Sequence, residues 1–123
     1  MVKSITINDE GNQVTVYEDG HTFEKQPLSY SQKERAVKIL DGFIAKDDYE
    51  RLRQEMEKDP SGWLTPYHMW AGMAVRNHLR SGGFRDDELP FVYYNGQPVQ
   101  NWDDYYGQII EILVGFKPIE KAF

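Results

Sequence analysis

The chain has 123 residues, of which 40% are hydrophobic, 14% aromatic and 28% charged, and its formal net charge is −6. This composition is typical of one folded domain and excludes a largely disordered chain. The absence of cysteine excludes disulfides, thiolate metal sites and cysteine nucleophiles.

The 14 basic residues are outnumbered by 20 acidic ones, and no segment of the sequence is basic. Because nucleic-acid binding depends on clustered lysine and arginine, we expect no direct binding of DNA or RNA. The first residues lack the apolar core of a signal peptide, and no apolar run approaches the roughly 18 residues of a membrane span. We therefore expect a soluble, cytoplasmic protein without a membrane segment.

Residues 1–26 are predicted to form an antiparallel β-meander of two or three short strands. Apolar and polar residues alternate in residues 3–8 and in residues 13–18, which is the period of a half-buried strand. The alternating apolar positions are Ile5, Ile7, Val14 and Val16. An Asp-Gly turn then precedes the third strand. Because so small a sheet is marginal alone, its apolar face is expected to pack on the helices that follow.

Two helices are predicted between residues 29 and 58. Ser29 or Ser31 is expected to cap the first helix, which carries apolar residues at helical spacing. Asp47 and Glu50 form the pattern of a capping box and predict the start of the second helix. The second helix has a thin apolar side and opposite charges four residues apart, so we expect it on the surface.

A third helix is predicted for residues 65–81. Thr65 followed by Pro66 is typical of an N-cap and a first helical residue, and two glycines after Ser81 are typical of a helix end. One side of the helix is an apolar stripe, and Met73 lies among small or apolar residues on another side. The stripe consists of Tyr67, Trp70, Ala71, Ala74, Val75 and His78. We therefore expect this helix to be the central one, buried on two sides.

Residues 91–99 hold an Asn-Gly turn between short apolar runs, which predicts either a small hairpin or an ordered loop. Pro98 restricts the segment to an edge strand or a loop. Asn101 is expected to cap the last helix, with Asp103 and Asp104 in its first turn, where negative charge suits the helix dipole. The apolar stripe of this helix should pack on the third helix. Its members are Trp102, Tyr105, Tyr106, Ile109, Ile110 and Leu113.

These elements predict an α+β fold in a single domain, residues 1–123. The β-meander of residues 1–26 packs on a helical core of about four helices in residues 29–114. Residues 115–123 form a C-terminal tail.

The sequence carries no GxSxG, Walker or GxGxxG motif, and no catalytic residue is predicted from it. His68 and His78 are ten residues apart, which separates them by about 15 Å on a helix and prevents them from sharing one metal ion. We therefore expect no cofactor and no metal.

Arg76 is the most informative polar residue, because a guanidinium in a buried helix must find carboxylates or carbonyls. Asp103 or Asp104 is its expected partner, with Asp86 or Asp87 second. Arg76 then either clamps the third helix to the last one or binds a ligand. The candidate polar cluster, structural or ligand-binding, consists of His68, Arg76, Asn77, Asp103 and Asp104.

The run YHMWAGMAVRN, residues 67–77, resembles the signature helix of a family of small uncharacterised bacterial domains with the pattern Y-H-x-x-x-G-M-x-x-R-N. The matching positions are Tyr67, His68, Gly72, Met73, Arg76 and Asn77, with Asp103 and Asp104 as the later acids of the pattern. The resemblance covers residues 33–114 and departs from the pattern in residues 79–81. It implies a helical core and no particular function, since the family has no established activity.

Two classes of function remain open. The first is a non-catalytic protein-protein interaction module, such as an adaptor, an immunity-type protein or a phage-type inhibitor, with Tyr93, Tyr94 and Asn95 as a possible interaction surface. An acidic mimic of nucleic acid would be a variant of this class. The second is a small anion-binding domain or minor enzyme with a pocket around Arg76. The protein partner and the oligomeric state stay open.

Overall fold

The computed structural model of the chain describes residues 1–60, 62–64, 66, 71–102 and 105–121. These residues form five strands and four α-helices, which confirms the predicted α+β fold. The strands are β1 (Val2–Ile7), β2 (Gln13–Tyr17), β3 (Thr22–Lys25), β4 (Val92–Tyr94) and β5 (Gln97–Val99). The helices are α1 (Tyr30–Leu40), α2 (Tyr49–Lys58), α3 (Ala71–Ser81) and α4 (Tyr106–Leu113).

The five strands form one antiparallel sheet in the order β1-β2-β3-β4-β5. The meander of residues 1–26 has three strands, as expected, but the sheet has five, because the second hairpin pairs with β3 and extends the meander. Asn95 and Gly96 turn this hairpin with φ values of 50° and 83°, the positive angles that a two-residue hairpin turn requires. Pro98 lies in β5, at the edge of the sheet, as its missing N–H demands.

The register places the apolar pair of β1, Ile5 and Ile7, and the apolar pair of β2, Val14 and Val16, on opposite faces of the sheet. Ile5 lies opposite Thr15, and Thr6 lies opposite Val14, so the isoleucines of β1 and the valines of β2 point in opposite directions. Ile5 is 59% exposed and Ile7 57%. The expectation that the apolar face of the meander packs on the helices is therefore wrong for β1. It is also wrong for Val14 and Val16, because they lie on the face opposite to the buried Val92.

The helices form one layer, which we call the helical layer. The core consists of residues from this layer, from β3 and β4, and from the connecting loops. The predicted stripe of α4 is buried at Trp102, Tyr105, Tyr106, Ile109 and Ile110. α4 packs on α1 and α3. Gly72 permits the close approach of α3, because a Cβ atom there would lie 2.8 Å from the hydroxyl oxygen of the buried Tyr106. On the other side of α3, Met73 is 53% exposed, so the expected burial at this position is wrong.

The helix ends match the sequence in part. Ser29 and Gln32 form a capping box at the start of α1, as expected. Gly83 takes φ 95° after α3, and Phe84 N donates to Leu79 O, which together form a glycine-based helix end. The capping box predicted for α2 is wrong: the helix begins at Tyr49 after a short 3-10 turn, without a side-chain cap.

The last helix begins later than predicted. α4 starts at Tyr106, and Asn101 is not its N-cap residue. After α4 the chain returns to α1, where the ammonium of Lys33 donates to the carbonyl oxygen of Ile119 at 2.9 Å. Burial lowers the pKa of Lys33. Part of the predicted tail therefore packs on the helical layer.

Candidate functional site

The polar cluster predicted from the sequence is described at two of its five positions. His68, Asp103 and Asp104 lie outside the described residues. Arg76 is half-buried on α3, and its neighbour Asn77 is exposed. The cluster as a whole therefore stays a prediction.

Asp86 is the centre of the polar contacts near Arg76. The Nε and Nη2 atoms of Arg80 each donate to the Asp86 carboxylate at 2.7 Å, and the indole of Trp102 donates to it at 2.8 Å. The hydrogen bonds from Arg80 and then from Trp102 hold the pKa of Asp86 below its ordinary value, and the charges of Arg80 and Arg76 act in the same direction. The carboxylate therefore ties α3 to the segment before α4.

Arg76 lies one helical turn before Arg80 and acts on Asp86 through its charge. Its buried Nε atom has no hydrogen-bond partner among the residues that the structure describes. Asp86 is the second partner that the sequence suggests for Arg76. The two predicted roles of Arg76, a clamp on the fold and a ligand site, stay predictions.

The predicted interaction surface at Tyr93, Tyr94 and Asn95 divides into three different environments. Tyr93 is half-buried beside Glu24 in a shallow notch of about 350 Å³. Tyr94 points to the opposite face, where it is 42% exposed. Asn95 exchanges two hydrogen bonds with the backbone of Thr22, one from its own N at 2.9 Å and one to its Oδ1 at 2.8 Å. Asn95 therefore links the β4–β5 turn to the start of β3. Of the two rings, that of Tyr94 is the more exposed.

Tyr94 belongs to an apolar surface that we call the open face. Its members, all on one face of the sheet, are Val2, Ile5, Ile7, Phe23 and Tyr94. The rings of Phe23 and Tyr94 are 4.9 Å apart, and the three aliphatic side chains of β1 are 48% to 59% exposed. An exposed apolar group of this kind is typical of an interaction surface.

The backbone of β1 adds a second feature to this surface. Asn8 N donates to Asn12 O at 3.0 Å, and bonded pairs alternate with non-bonded pairs along an antiparallel ladder. Thr6 is therefore bonded to β2, and Ile5 and Ile7 direct their N–H and C=O groups away from it. Because β1 is the first strand of the sheet, these groups form an outer edge that pairs with no strand in the described part of the chain.

The charge around the sheet is negative. Residues 1–26 contain five acidic residues and two lysines. Of the two lysines, Lys25 is 8% exposed and places its ammonium 5.1 Å from the centre of the Tyr105 ring. Lys3 lies at the irregularity between Val2 and Ser4, near the beginning of β1. The surface next to the outer edge therefore favours a positively charged partner.

A separate apolar cavity of about 370 Å³ opens in the helical layer. It lies between the start of α2, α3, α4 and residues 62–64. Leu52, Trp63, Val75 and Ile110 form its walls, and Asp48 and Arg51 are its only charged lining residues among those described. Arg76 is not among the described lining residues of this cavity.

No group of three His, Cys, Asp or Glu side chains in the described ranges could hold a metal ion. None of the helices in those ranges has both the length and the apolar character needed to cross a bilayer.

A scan against protein-family models, a search of curated proteins and a search of solved structures found no match. The resemblance of residues 67–77 to a bacterial signature helix therefore stays an expectation. The geometry of the chain is the basis for any functional proposal.

Sequence patterns missed both the outer edge and the apolar cavity. The alternation in β1 gives the side-chain period, but the exposure of Ile5 and Ile7 depends on which strands the helices cover. One signal was available, since β1 has no proline and only one charged residue, Lys3, to protect a sheet edge. The cavity depends on how three helices pack together, and a sequence pattern within one helix does not predict this packing.

Proposed function

We propose that this protein is a non-catalytic interaction module that binds an extended segment of a partner protein as an added strand along β1. The observation that carries the proposal is the outer edge. There Ile5 and Ile7 present exposed apolar side chains and backbone groups that pair with no strand among the described residues. Strand addition uses these two features together, since main-chain hydrogen bonds supply affinity and alternate side chains supply specificity.

The other edge of the sheet is less suited to strand addition. β5 has three residues and contains Pro98, which lacks an N–H group. β1 has six residues, and its regular part from Ser4 to Ile7 is rich in β-branched side chains. An added strand would therefore pair with β1.

The partner segment is defined by the chemistry of the two faces. Side chains that lie on the open face should be apolar, because they would pack beside Ile5 and Ile7. Side chains on the opposite face should be basic, because the sheet segment is acidic and that face carries Glu24. We expect an extended segment in which Lys or Arg alternates with Val or Ile.

Synthetic octapeptides test this proposal directly. We expect a peptide of alternating lysine and valine to bind with NMR shift changes concentrated in β1, and the matching glutamate-valine peptide to bind at least tenfold more weakly. A lysine-valine peptide of the same composition but with its valines grouped together controls for charge alone.

Two variants at one position separate strand addition from simple apolar contact. Ile5→Pro removes an outward N–H and should weaken binding of the alternating peptide at least tenfold, whereas Ile5→Val keeps the N–H and should bind like the unaltered protein. Equal binding by both folded variants, or shift changes concentrated outside β1, would contradict the proposal.

We propose a cytoplasmic setting. The lack of cysteine suits a reducing cytoplasm, and the charge of −6 suits a protein partner better than nucleic acid. A bacterial or phage-encoded adaptor, immunity protein or inhibitor fits this description.

The second candidate function is a small-anion site at Arg76. The buried, unpartnered Nε of Arg76 within the described residues favours it, because a buried donor without a partner is costly. We would measure the rise in melting temperature with inorganic phosphate, in the unaltered protein, in Arg76→Lys and in Arg80→Lys as the control. A rise lost only in Arg76→Lys would support the anion site, and a rise that is absent or equal in all three would exclude phosphate binding there.

A further inference from the structure

The apolar cavity has preformed walls. Leu52, Trp63, Val75 and Ile110 are each less than 8% exposed and belong to the hydrophobic core. Three of them lie on helices, so regular secondary structure holds these three side chains in place. Its volume of about 370 Å³ lies in the range of small-molecule sites.

The charges of the cavity lie at its mouth. Arg51 Nη2 is 3.5 Å from Asp48 Oδ1, and Arg51 Nη1 is 3.6 Å from Glu55 Oε1. These three side chains are 34% to 54% exposed, so they meet solvent rather than the interior of the cavity. Asp48, Arg51 and Glu55 together carry one net negative charge, which disfavours an anionic head group beside them.

Phe43 is an exposed apolar residue that lines the cavity. Its side chain is held in position by a neighbouring ring. Its ring stacks on His78 with a centroid distance of 4.3 Å, and Nε2 of His78 lies 2.9 Å from the carbonyl oxygen of Ile39. The Phe43 side chain is 40% exposed. A bound molecule would cover this ring and so gain from burial of apolar surface.

We infer that this cavity binds a small apolar molecule that is uncharged or carries one amine at the mouth. The binding site shares no residue with the open face or the outer edge, so it stands independently of the interaction proposed above. The apolar walls bind the body of the ligand, and Asp48 receives the amine where one is present.

Three naphthalene derivatives of nearly equal size test the ligand class. The probes are 1-naphthalenemethanol, the 1-naphthylmethylammonium cation and 1-naphthoate, titrated by NMR with the methyl groups of Leu52, Val75 and Ile110 as reporters. We expect saturable binding of the alcohol and the cation, and at least tenfold weaker binding of the anion. Absence of saturable binding, or equal affinity for the anion, would overturn the inference.

Variants on α3 test the location. Ala74 lines the cavity, so Ala74→Leu should fill it and weaken binding of the alcohol at least tenfold. Met73→Leu is the matched control, because Met73 is exposed on the same helix and should leave binding unchanged. Unchanged affinity in folded Ala74→Leu would place the probe elsewhere and overturn the inference.

Asp48→Asn tests the mouth without disturbing the walls, because Asp48 is 48% exposed. We expect it to weaken binding of the cation several-fold and to leave the alcohol unaffected. A merely structural effect would weaken both probes together, and an unchanged cation affinity would contradict the role given to Asp48.

Discussion

The two ends of the sheet differ in burial although they share one face. Val92 on β4 is fully buried, and Ile7, three strands away in the same row of the sheet, is 57% exposed. Both are β-branched residues at alternating positions of a strand. The difference shows that an apolar strand position becomes core or surface according to what packs on it.

The helical layer is attached to the β3 end of the sheet. The hydroxyl of Tyr105 donates to the carbonyl oxygen of Gln26 at 2.7 Å, just after β3. The Lys25 ammonium lies over the ring of the same tyrosine. We call β3 and β4 the packed end and β1 and β2 the overhanging end. We expect the fold to depend less on the overhanging end than on the packed end.

Truncation of Val92 and of Ile7 should show the largest contrast in stability. Val92→Ala should lower the free energy of unfolding by about 2 kcal/mol, because it removes buried methyl groups and leaves a cavity. Ile7→Ala should change it by about 0.5 kcal/mol or less, since its side chain is largely in water already. Urea unfolding followed by circular dichroism would measure both, and equal losses would contradict the division into two ends.

Proline substitution in β1 should separate its two backbone edges. Thr6→Pro removes a hydrogen bond to β2 and should cost at least about 1 kcal/mol more than Ile5→Pro, whose N–H points outward. Melting temperatures of the two variants would be compared. A greater loss in Ile5→Pro would mean that the alternation of bonded pairs in β1 is the reverse of the one described.

Removal of a single hydroxyl group should test the attachment of the helices to β3. Tyr105→Phe removes the hydrogen bond to Gln26 and should destabilise the protein by about 1 kcal/mol, because a carbonyl oxygen at a buried contact loses its donor. Tyr30→Phe is the control and should have less effect, because Tyr30 is 56% exposed. Equal losses in chemical denaturation would argue against a special role for the Tyr105 contact.

The smallest predicted effect is electrostatic and lies away from β1. The pKa of Asp86 is lowered in the folded protein, so its charged form stabilises the fold above the unfolded pKa of about 3.9. This contribution is lost as the pH falls through the folded value. The stability difference between the unaltered protein and Asp86→Asn should therefore be larger at pH 6 than at pH 2.5. An equal difference at both values would contradict a lowered pKa.

The sequence predicted local features better than it predicted pairing. The capping box at Ser29, the glycine-based end of α3 and the apolar stripe of α4 can all be read from the residue pattern of one element. The joining of β3 to β4 could not be predicted in this way, because Lys25 and Val92 are far apart in the sequence. The start of α4 was predicted too early because Asn101 is a good cap residue, whereas the helix begins at Tyr106.

The candidate sites show the same limit. Tyr94 was chosen from the sequence for its position beside an Asn-Gly turn, and it does lie on the open face. The exposure of Ile5 and Ile7 could not be predicted, because it depends on the extent of a helical layer formed by other parts of the chain. The apolar cavity likewise depends on the spacing between helices rather than on the residues of any one of them.

Residue-resolved amide hydrogen exchange in β1, with and without the alternating lysine-valine peptide, would test the central claim most directly. Without peptide, the N–H groups of Ile5 and Ile7 should exchange rapidly and that of Thr6 slowly, because Thr6 is the one of these three residues whose N–H is bonded to β2. With saturating peptide, Ile5 and Ile7 should become protected at least tenfold, whereas Thr6 should change little. Protection of Ile5 and Ile7 before the peptide is added, or no gain of protection when it is bound, would contradict an open edge that accepts a strand.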